Sequence, residues 1–366
     1  MEKHLVLAGA GHAHMVTMAN IHVFCKLGYR VTVIGPSDYH YYSGMGSGML
    51  GGGYEPNDIR FAVKQTIEDQ GGVFLRDSVV GVDPVSRELR LESGSTVSYD
   101  VLSFNTGSHI NLPLLHGNTD QVYTVKPIER LYQARKEIET LSGKQSVTVA
   151  VIGGGPAGTE VAGNVSELLS KSSYPSRVVL YAGRALLAKF PRAVQNSSRK
   201  LLKKSGVIIK EEGHLLSIQD NCLRFDSGFE EQADFILLAT GVHPSPFFAE
   251  AGLRTGPEGG LLVNSRLQCS EYPEIFGGGD CICFEDQPLD KVGVYAVREN
   301  PVLFHNLKAF LQEEALQDFD PGGDYLLIFN LGNGLGVLRK KWFQISGKLA
   351  FMIKDWIDRK FIKDFK

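Results

Sequence analysis

The chain has 366 residues, which at roughly 150 residues per domain predicts two domains with room for a small third unit. Hydrophobic residues make up 43% and charged residues 22%, the values of an ordinary globular chain, which excludes a disordered or fibrous protein. With 38 Lys plus Arg against 41 Asp plus Glu the net charge is −3, so no surface-wide address to nucleic acid is expected, and the 41 glycines point to tight turns where backbone comes close to a ligand.

The apolar run 4–8 reads as a buried strand, 9–11 as a turn, 13–27 as a helix and 30–34 as a second strand, which together make a βαβ unit. From 73 to 104 the pattern changes to short alternating strands with turns at Asp83-Pro84 and Ser93-Gly94, a β-meander that closes at Asn105-Thr106-Gly107. After a helix near 128–141, a second unit begins with the strand 147–152, the glycine turn 153–158 and a helix to 169. Its later strands are 177–181, 206–209 and 235–239, ending at Thr240-Gly241. Strand, glycine turn, helix, strands and Thr-Gly recur in both halves, so the chain reads as a duplicated nucleotide-binding domain.

Residues 325–331 and 335–339 flank Asn333-Gly334, a strong hairpin signal. A helix follows in which Leu349, Met352, Ile353, Trp356, Ile357 and Phe361 recur at spacings of three and four, predicting one apolar face. Residues 339–366 carry nine Lys or Arg against three Asp. Three roles suit such a tail: lying in a membrane interface with its cations on anionic headgroups, capping a pocket, or making a homodimer contact.

The five cysteines (Cys25, Cys222, Cys269, Cys281 and Cys283) show no Cys-x-x-Cys spacing, which fits neither a disulfide framework nor a zinc site. No histidine shows metal-ligand spacing either, and no metal is expected. The apolar run after Glu2 stops at Gly9, too short for a secretory signal, and no run of about 18 apolar residues follows. The expectation is a cytoplasmic protein, peripheral on the inner face of the cell membrane if the tail binds lipid.

The first turn, Gly9-Ala10-Gly11-His12-Ala13-His14, follows a strand and opens a helix. Gly9 permits the sharp turn, and Gly11 lets a pyrophosphate approach the amides of the helix N-terminus, where the dipole favours negative charge. His14 replaces a third glycine, which implies a slightly opened helix or a side chain turned outward. The second turn keeps all three positions as Gly153, Gly155 and Gly158. Neither turn is followed at about 20 residues by the acid that binds the adenine ribose of NAD. After the first come Gly35-Pro36-Ser37, with Asp38 late; after the second, Ala182-Gly183-Arg184. Arg184 could meet the 2′-phosphate of NADPH or stand exposed with no ligand. Downstream, Phe276-Gly277-Gly278-Gly279-Asp280 ends in an aspartate suited to accept hydrogen bonds from a polyol such as the ribityl chain of FAD.

The chain resembles the two-dinucleotide-domain flavoproteins: type II NADH dehydrogenases, sulfide:quinone oxidoreductases and pyridine nucleotide-disulfide oxidoreductases. It is most similar to the NADH-dehydrogenase-like domain found fused to selenide, water dikinase. The motifs that carry this are GAGHAH (9–14), YYSGMGSGML (41–50), LSFNTGS (102–108), VKPIERL (125–131), KVGVYAVRENPVLFHNL (291–307) and KDWIDRKFI (354–362). The kinase part is absent.

The resemblance implies an α/β fold of two Rossmann-like, glutathione-reductase-like domains with β-meander insertions. FAD would occupy 1–112 plus 268–322, NAD(P)H 113–267, and 323–366 would form a C-terminal hairpin and basic amphipathic helix. It implies FAD contacts at Gly9, Gly11, His12, Ala13, Gly35, Thr106, Gly107, Gly279, Asp280 and Val292. On the nicotinamide-nucleotide side it implies Gly153, Gly155, Gly158, Arg184 and Gly241. Glu160 matches the glutamate near the nicotinamide, and Lys291 opens a segment beside the flavin pyrimidine, where helix amides stabilise charge on the reduced ring.

Two departures stand out. The first-domain helix holds only Cys25, so dithiol chemistry is not expected. The quinone-site glutamine of type II NADH dehydrogenases is replaced near Val294. The expected activity is hydride transfer from NAD(P)H to flavin and delivery of two electrons to a quinone or other small acceptor. The alternatives are a sulfide:quinone oxidoreductase-like enzyme and a flavin-binding partner with little turnover.

Overall fold

A computed structural model describes residues 2–110, 112 and 114–365. Two five-stranded parallel sheets organise it. The first has the order Ile275–Gly277, Val101–Phe104, His4–Ala8, Arg30–Gly35, Val73–Arg76. The second repeats the plan with Val122–Thr124, Phe235–Leu238, Thr148–Ile152, Arg177–Tyr181, Ile208–Lys210. In both, the central strand is apolar along most or all of its length, because a parallel sheet is buried on both faces. In both, the glycine turn leaves the carboxyl end of that central strand, where open α/β sheets bind their ligands. The duplication read from the sequence is present as two sheets that share the order of four strands; the outer edge strand comes last along the chain in the first sheet (275–277) and first in the second (122–124).

The helix expected over 13–27 is interrupted. A 3₁₀ turn spans His12–His14, followed by helices Met15–Ala19 and Ile21–Lys26. Asn20 makes the break: its side-chain amide donates to the Val16 carbonyl at 2.9 Å, and such local bonding by asparagine competes with the helical ladder.

The meander Val79–Asp83, Glu88–Leu91, Thr96–Ser98 is antiparallel, as the alternation predicts. The C-terminal hairpin pairs Leu327–Asn330 with Gly336–Lys340, and Asn333 and Gly334 both adopt positive φ (53° and 65°), as a type I′ turn requires. A third strand, Phe343–Gly347, missing from the sequence reading, extends it.

The last helix, Lys348–Phe365, corrects the expected apolar face. Leu349, Met352 and Trp356 of that stripe are exposed, whereas the side packed on the protein carries Ala350, Lys354, Asp358 and Ile362. Two charged residues are therefore buried and three large apolar ones are not. The cause lies in what the helix meets: Lys354 donates to the Gly44 carbonyl and to Asp358.

Candidate active site

At the carboxyl edge of the first sheet the expected FAD contacts converge. The Gly9 N–H donates to the Ile34 carbonyl, next to Gly35, at 2.8 Å; the Asn105 N–H donates to Ala8, and Gly278 to Phe104. Gly9 has φ +102°, and a side chain there would meet the Asn105 carbonyl at 2.2 Å. Asn105, which the sequence reading missed, braces the site: its side-chain oxygen accepts from the Ala13 N–H and its amide donates to the Gly278 carbonyl at 2.7 Å. Thr106 and Gly107 follow it directly, and Gly279 and Asp280 lie in the 3₁₀ turn Gly279–Cys281.

His14 does not turn outward. It is fully buried, with Nδ1 2.7 Å from the Gly9 carbonyl and Nε2 2.8 Å from Ser103 Oγ, so an imidazole ties turn to sheet where a glycine would only give room. Burial pulls its pKa down to about 4.

Asp280 is clamped by Lys126 Nζ at 2.5 Å and Ser108 Oγ at 2.8 Å. Burial works against its charge, but Lys126, Ser108 and Lys291 outweigh that and hold its carboxyl below the usual range. Lys291 donates to the Ile282 carbonyl and pairs with Glu258 at 3.1 Å. With Val292, the N-cap of helix Gly293–Leu311, it lines a narrow cleft beside Asp280, Tyr295 and Glu299. Glu299, another unforeseen residue, accepts from the Gly279 N–H at 2.5 Å, and burial pushes its carboxyl up to about 7.

Next to the turn, His12 Nδ1 lies 2.9 Å from His40 Nε2, and the ring packs against the stacked pair Tyr42 and Phe361. Burial first, then Lys126, lowers the His12 pKa to about 4. His12 Nε2 and Asp38 Oδ1 are buried without a hydrogen-bond partner. Glycine backbone at the helix start, the Asp280 carboxylate and unpartnered buried polar atoms together fit FAD, whose pyrophosphate, ribityl and ribose groups need such partners.

The second turn repeats the geometry. The Gly153 N–H donates to Tyr181 and the Ala239 N–H to Ile152, which places Gly153, Gly155, Gly158, Arg184 and Gly241 at or just beyond the carboxyl edge of the second sheet. A side chain at Gly155 would meet nothing within 4 Å, leaving that approach open. Arg184 sits two residues past Ala182 and pairs with Asp226 at 3.5 Å.

Glu160 lies just past the first turn of helix Pro156–Leu169, and its carboxylate finds its partners outside that helix. Its Oε1 accepts from the Asn330 N–H at 2.6 Å and its Oε2 from Ser47 Oγ at 3.5 Å. Burial pushes its carboxyl up, countered chiefly by Lys354. Lys354 donates to the Gly44 carbonyl and to Asp358, both at 2.6 Å, and Tyr42 donates to Asp358 at 3.1 Å. Burial alone would lower the Lys354 pKa, but Asp358 and Glu160 reverse the sign, so the ammonium stays charged. The last helix thus buries its charged face because segment 41–50 and Glu160 offer it carbonyl, phenol and carboxylate partners. The sequence reading saw Lys354 only as part of a basic tail; the signal available was the KDWIDR motif.

Cys281 and Cys283 do not form a redox pair. Cys281 faces the Gly278 and Phe104 carbonyls, and burial pushes its thiol up to about 11, while Cys283 packs against Gly256. All five cysteines are free, and among the described residues no cluster of metal-ligating side chains occurs.

The profile of the pyridine nucleotide-disulphide oxidoreductase family matches residues 3–305. The chain belongs to that family. Its members are FAD-dependent and use NAD(P)H, which makes this protein an NAD(P)H-dependent flavin oxidoreductase. Among curated relatives of this oxidoreductase, ferroptosis suppressor protein 1 of Taeniopygia guttata is 27% identical over 282 residues, covering 73% of this chain and 71% of that one. Among solved structures, the sulfide:quinone oxidoreductase of Aquifex aeolicus superimposes with a TM-score of 0.79 at 16% identity, covering 99% of this chain and 91% of that one. The NDH2 of Plasmodium falciparum in complex with NADH gives 0.77 at 14% identity, covering 98% and 99%. At these identities the structures establish the shared glutathione-reductase-like fold.

Proposed function

We propose that this oxidoreductase delivers the two electrons taken from NAD(P)H to a quinone or another small acceptor bound between segment 41–50 and the last helix. The observation that carries this is the buried network Glu160, Lys354, Asp358, Tyr42, because it links the helix of the second glycine turn to a cap over the first domain.

The residues have distinct tasks. Gly9 and Gly11 let the turn close onto Asn105, which sets the amides of the helix start where a pyrophosphate would bind, and Asp280, with Lys126 and Ser108 already on it, presents an acceptor to a polyol. Bound FAD supplies the hydride-accepting and electron-donating chemistry. Reducing a quinone by NAD(P)H consumes one hydride and one proton from solvent. Lys354 holds a charged ammonium beside the Gly44 carbonyl, where it can stabilise negative charge developing on an acceptor and pass it a proton. Glu160, with its carboxyl raised, is suited to return that proton. Lys291 and the amides opening helix Gly293–Leu311 present positive potential to the cleft beside Asp280.

The exposed stripe supports action at a membrane surface. Trp342 (91% exposed), Leu349, Met352 (64%) and Trp356 (66%) stand in solvent among Lys340, Lys341, Lys348 and Lys360, an arrangement suited to anionic headgroups. No helix among the described residues is long and apolar enough to cross a bilayer.

The test is anaerobic. The yellow holoprotein should bleach on NADPH or NADH and regain colour on a soluble quinone. Bleaching by sulfide alone would favour sulfide oxidation, a reading that the separated, buried Cys281 and Cys283 argue against. A flavin inert to all three would reduce the chain to a flavin-binding partner.

A further inference from the structure

We infer that His40 and His12 form the route by which a proton passes between solvent and the buried flavin site; this rests on the flavin oxidoreductase activity alone and holds whichever acceptor takes the electrons. His12 belongs to the first glycine turn, and its side chain is buried. Its Nε2 is buried without a hydrogen-bond partner, and Lys126, the cation that grips Asp280, is near enough to act on its charge. Its Nδ1 lies 2.9 Å from His40 Nε2, so one of these nitrogens donates and the other accepts. His40 is half-buried on the short strand His40–Tyr41. Its Nδ1 bonds no group among the described residues and is not one of the buried orphan atoms, which leaves water to meet it.

Aromatic rings wall the pair. Phe61 stacks on His40 with centroids 6.3 Å apart, Phe361 stacks on His12 at 6.0 Å, and Tyr42 tilts onto His12 at 5.4 Å. Such faces give a file of water few partners, so the imidazoles themselves must carry the proton. Burial, helped by Lys126 at His12 and by His12 at His40, holds both pKa values below the ordinary one, and both rings are neutral at pH 7. A neutral imidazole has a proton on one nitrogen and a lone pair on the other, and can gain at one while losing at the other. Outward, a proton arrives at His12 Nε2, the Nδ1 proton moves to His40 Nε2, and the His40 Nδ1 proton enters water. One proton enters, one leaves and no electron moves; each ring ends as its other tautomer and must reorient before the next passage. Inward, as quinone reduction requires, the hops run in reverse.

The test separates protons from electrons. When reduced holoprotein is mixed anaerobically with ferricyanide, two ferricyanide ions take two electrons and no proton, so the proton held by the reduced flavin must leave; flavin colour and a pH-indicator dye report the two events. In the wild type they should coincide. His40→Phe keeps a ring against Phe61 but no nitrogen, and should slow proton release by at least about tenfold with flavin content unchanged. His40→Ala should slow it equally, and added imidazole should restore it. Wild-type release from His40→Phe, or a His40→Ala variant deaf to imidazole, would overturn the route. Should the variants lose flavin, the wild type still decides: nitrogen-15 spectra of its labelled histidines should show two neutral rings sharing one proton at pH 7, and rings without that shared bond would overturn it too. None of these outcomes depends on a quinone, so failure of quinone reduction would strike only the acceptor proposed above.

Discussion

Asn330 donates its backbone N–H to the Glu160 carboxylate at 2.6 Å, tying the C-terminal hairpin to the helix that opens the second nucleotide site. Asn164 reinforces the joint, its amide donating to the Glu160 carbonyl at 2.8 Å and the Asn330 carbonyl at 3.1 Å. Glu160→Gln keeps an oxygen for the Asn330 N–H but removes the charge beside Lys354. Flavin content should hold and bleaching by NAD(P)H should change little, while reoxidation by a quinone slows by about tenfold or more. Stopped-flow measurement of the two half-reactions decides it; equal slowing of both would refute a role on the acceptor side.

Lys354 and Asp358 form a buried pair, and removing one partner strands the other. Lys354→Met should cost about 3 kcal/mol or more in chemical denaturation, and Lys354→Met with Asp358→Leu should restore part of that, because Asp358 is no longer stranded while Glu160 still loses its counter-charge. A double variant no more stable than the single one would contradict this account.

Glycines at the second turn separate binding from folding. A Cβ at Gly158 would fall 1.9 Å from the Gly153 carbonyl oxygen, so Gly158→Ala should lower the melting temperature sharply. At Gly155 a Cβ meets nothing within 4 Å, and its φ of −82° suits any residue. Gly155→Ala should melt like the wild type yet weaken nicotinamide-nucleotide binding, read by titration. Normal binding there would mean that the pyrophosphate does not approach this amide.

Acid should destabilise the protein through His12 and His14. Their folded pKa values, about 4, lie below the unfolded value of 6.5, so the unfolded chain binds more protons between these limits and stability falls as pH drops through that window. Each neutral buried imidazole should cost about 2 kcal/mol on going from pH 7 to pH 5. Urea midpoints across that range should show the loss, with a shallower slope for His14→Gln; a flat profile would show that these rings are not held neutral.

Trp342→Ser with Trp356→Ser should reduce flotation with anionic vesicles by about tenfold while flavin content stays constant, since the removed rings stand in solvent. Unchanged flotation would remove the membrane-surface proposal.

Much of this protein was legible along the chain. Apolar strands running into Gly9-Ala10-Gly11 and Gly153-Gly154-Gly155 are local signals, since a sharp turn and a nearby helix start depend on neighbouring residues, and Asn333-Gly334 announced its turn for the same reason. His14 was misread because its partner, Ser103, is 89 residues away. The last helix shows the division most plainly. Its period laid out the faces, yet which face would be covered depended on what segment 41–50 and Glu160 had to offer. A lysine finding a carbonyl and two carboxylates goes inside, while Leu349, Met352 and Trp356, with no cavity to fill, remain in water. Periodicity is a property of one helix; burial is a property of two surfaces, and only the folded chain brings the second one.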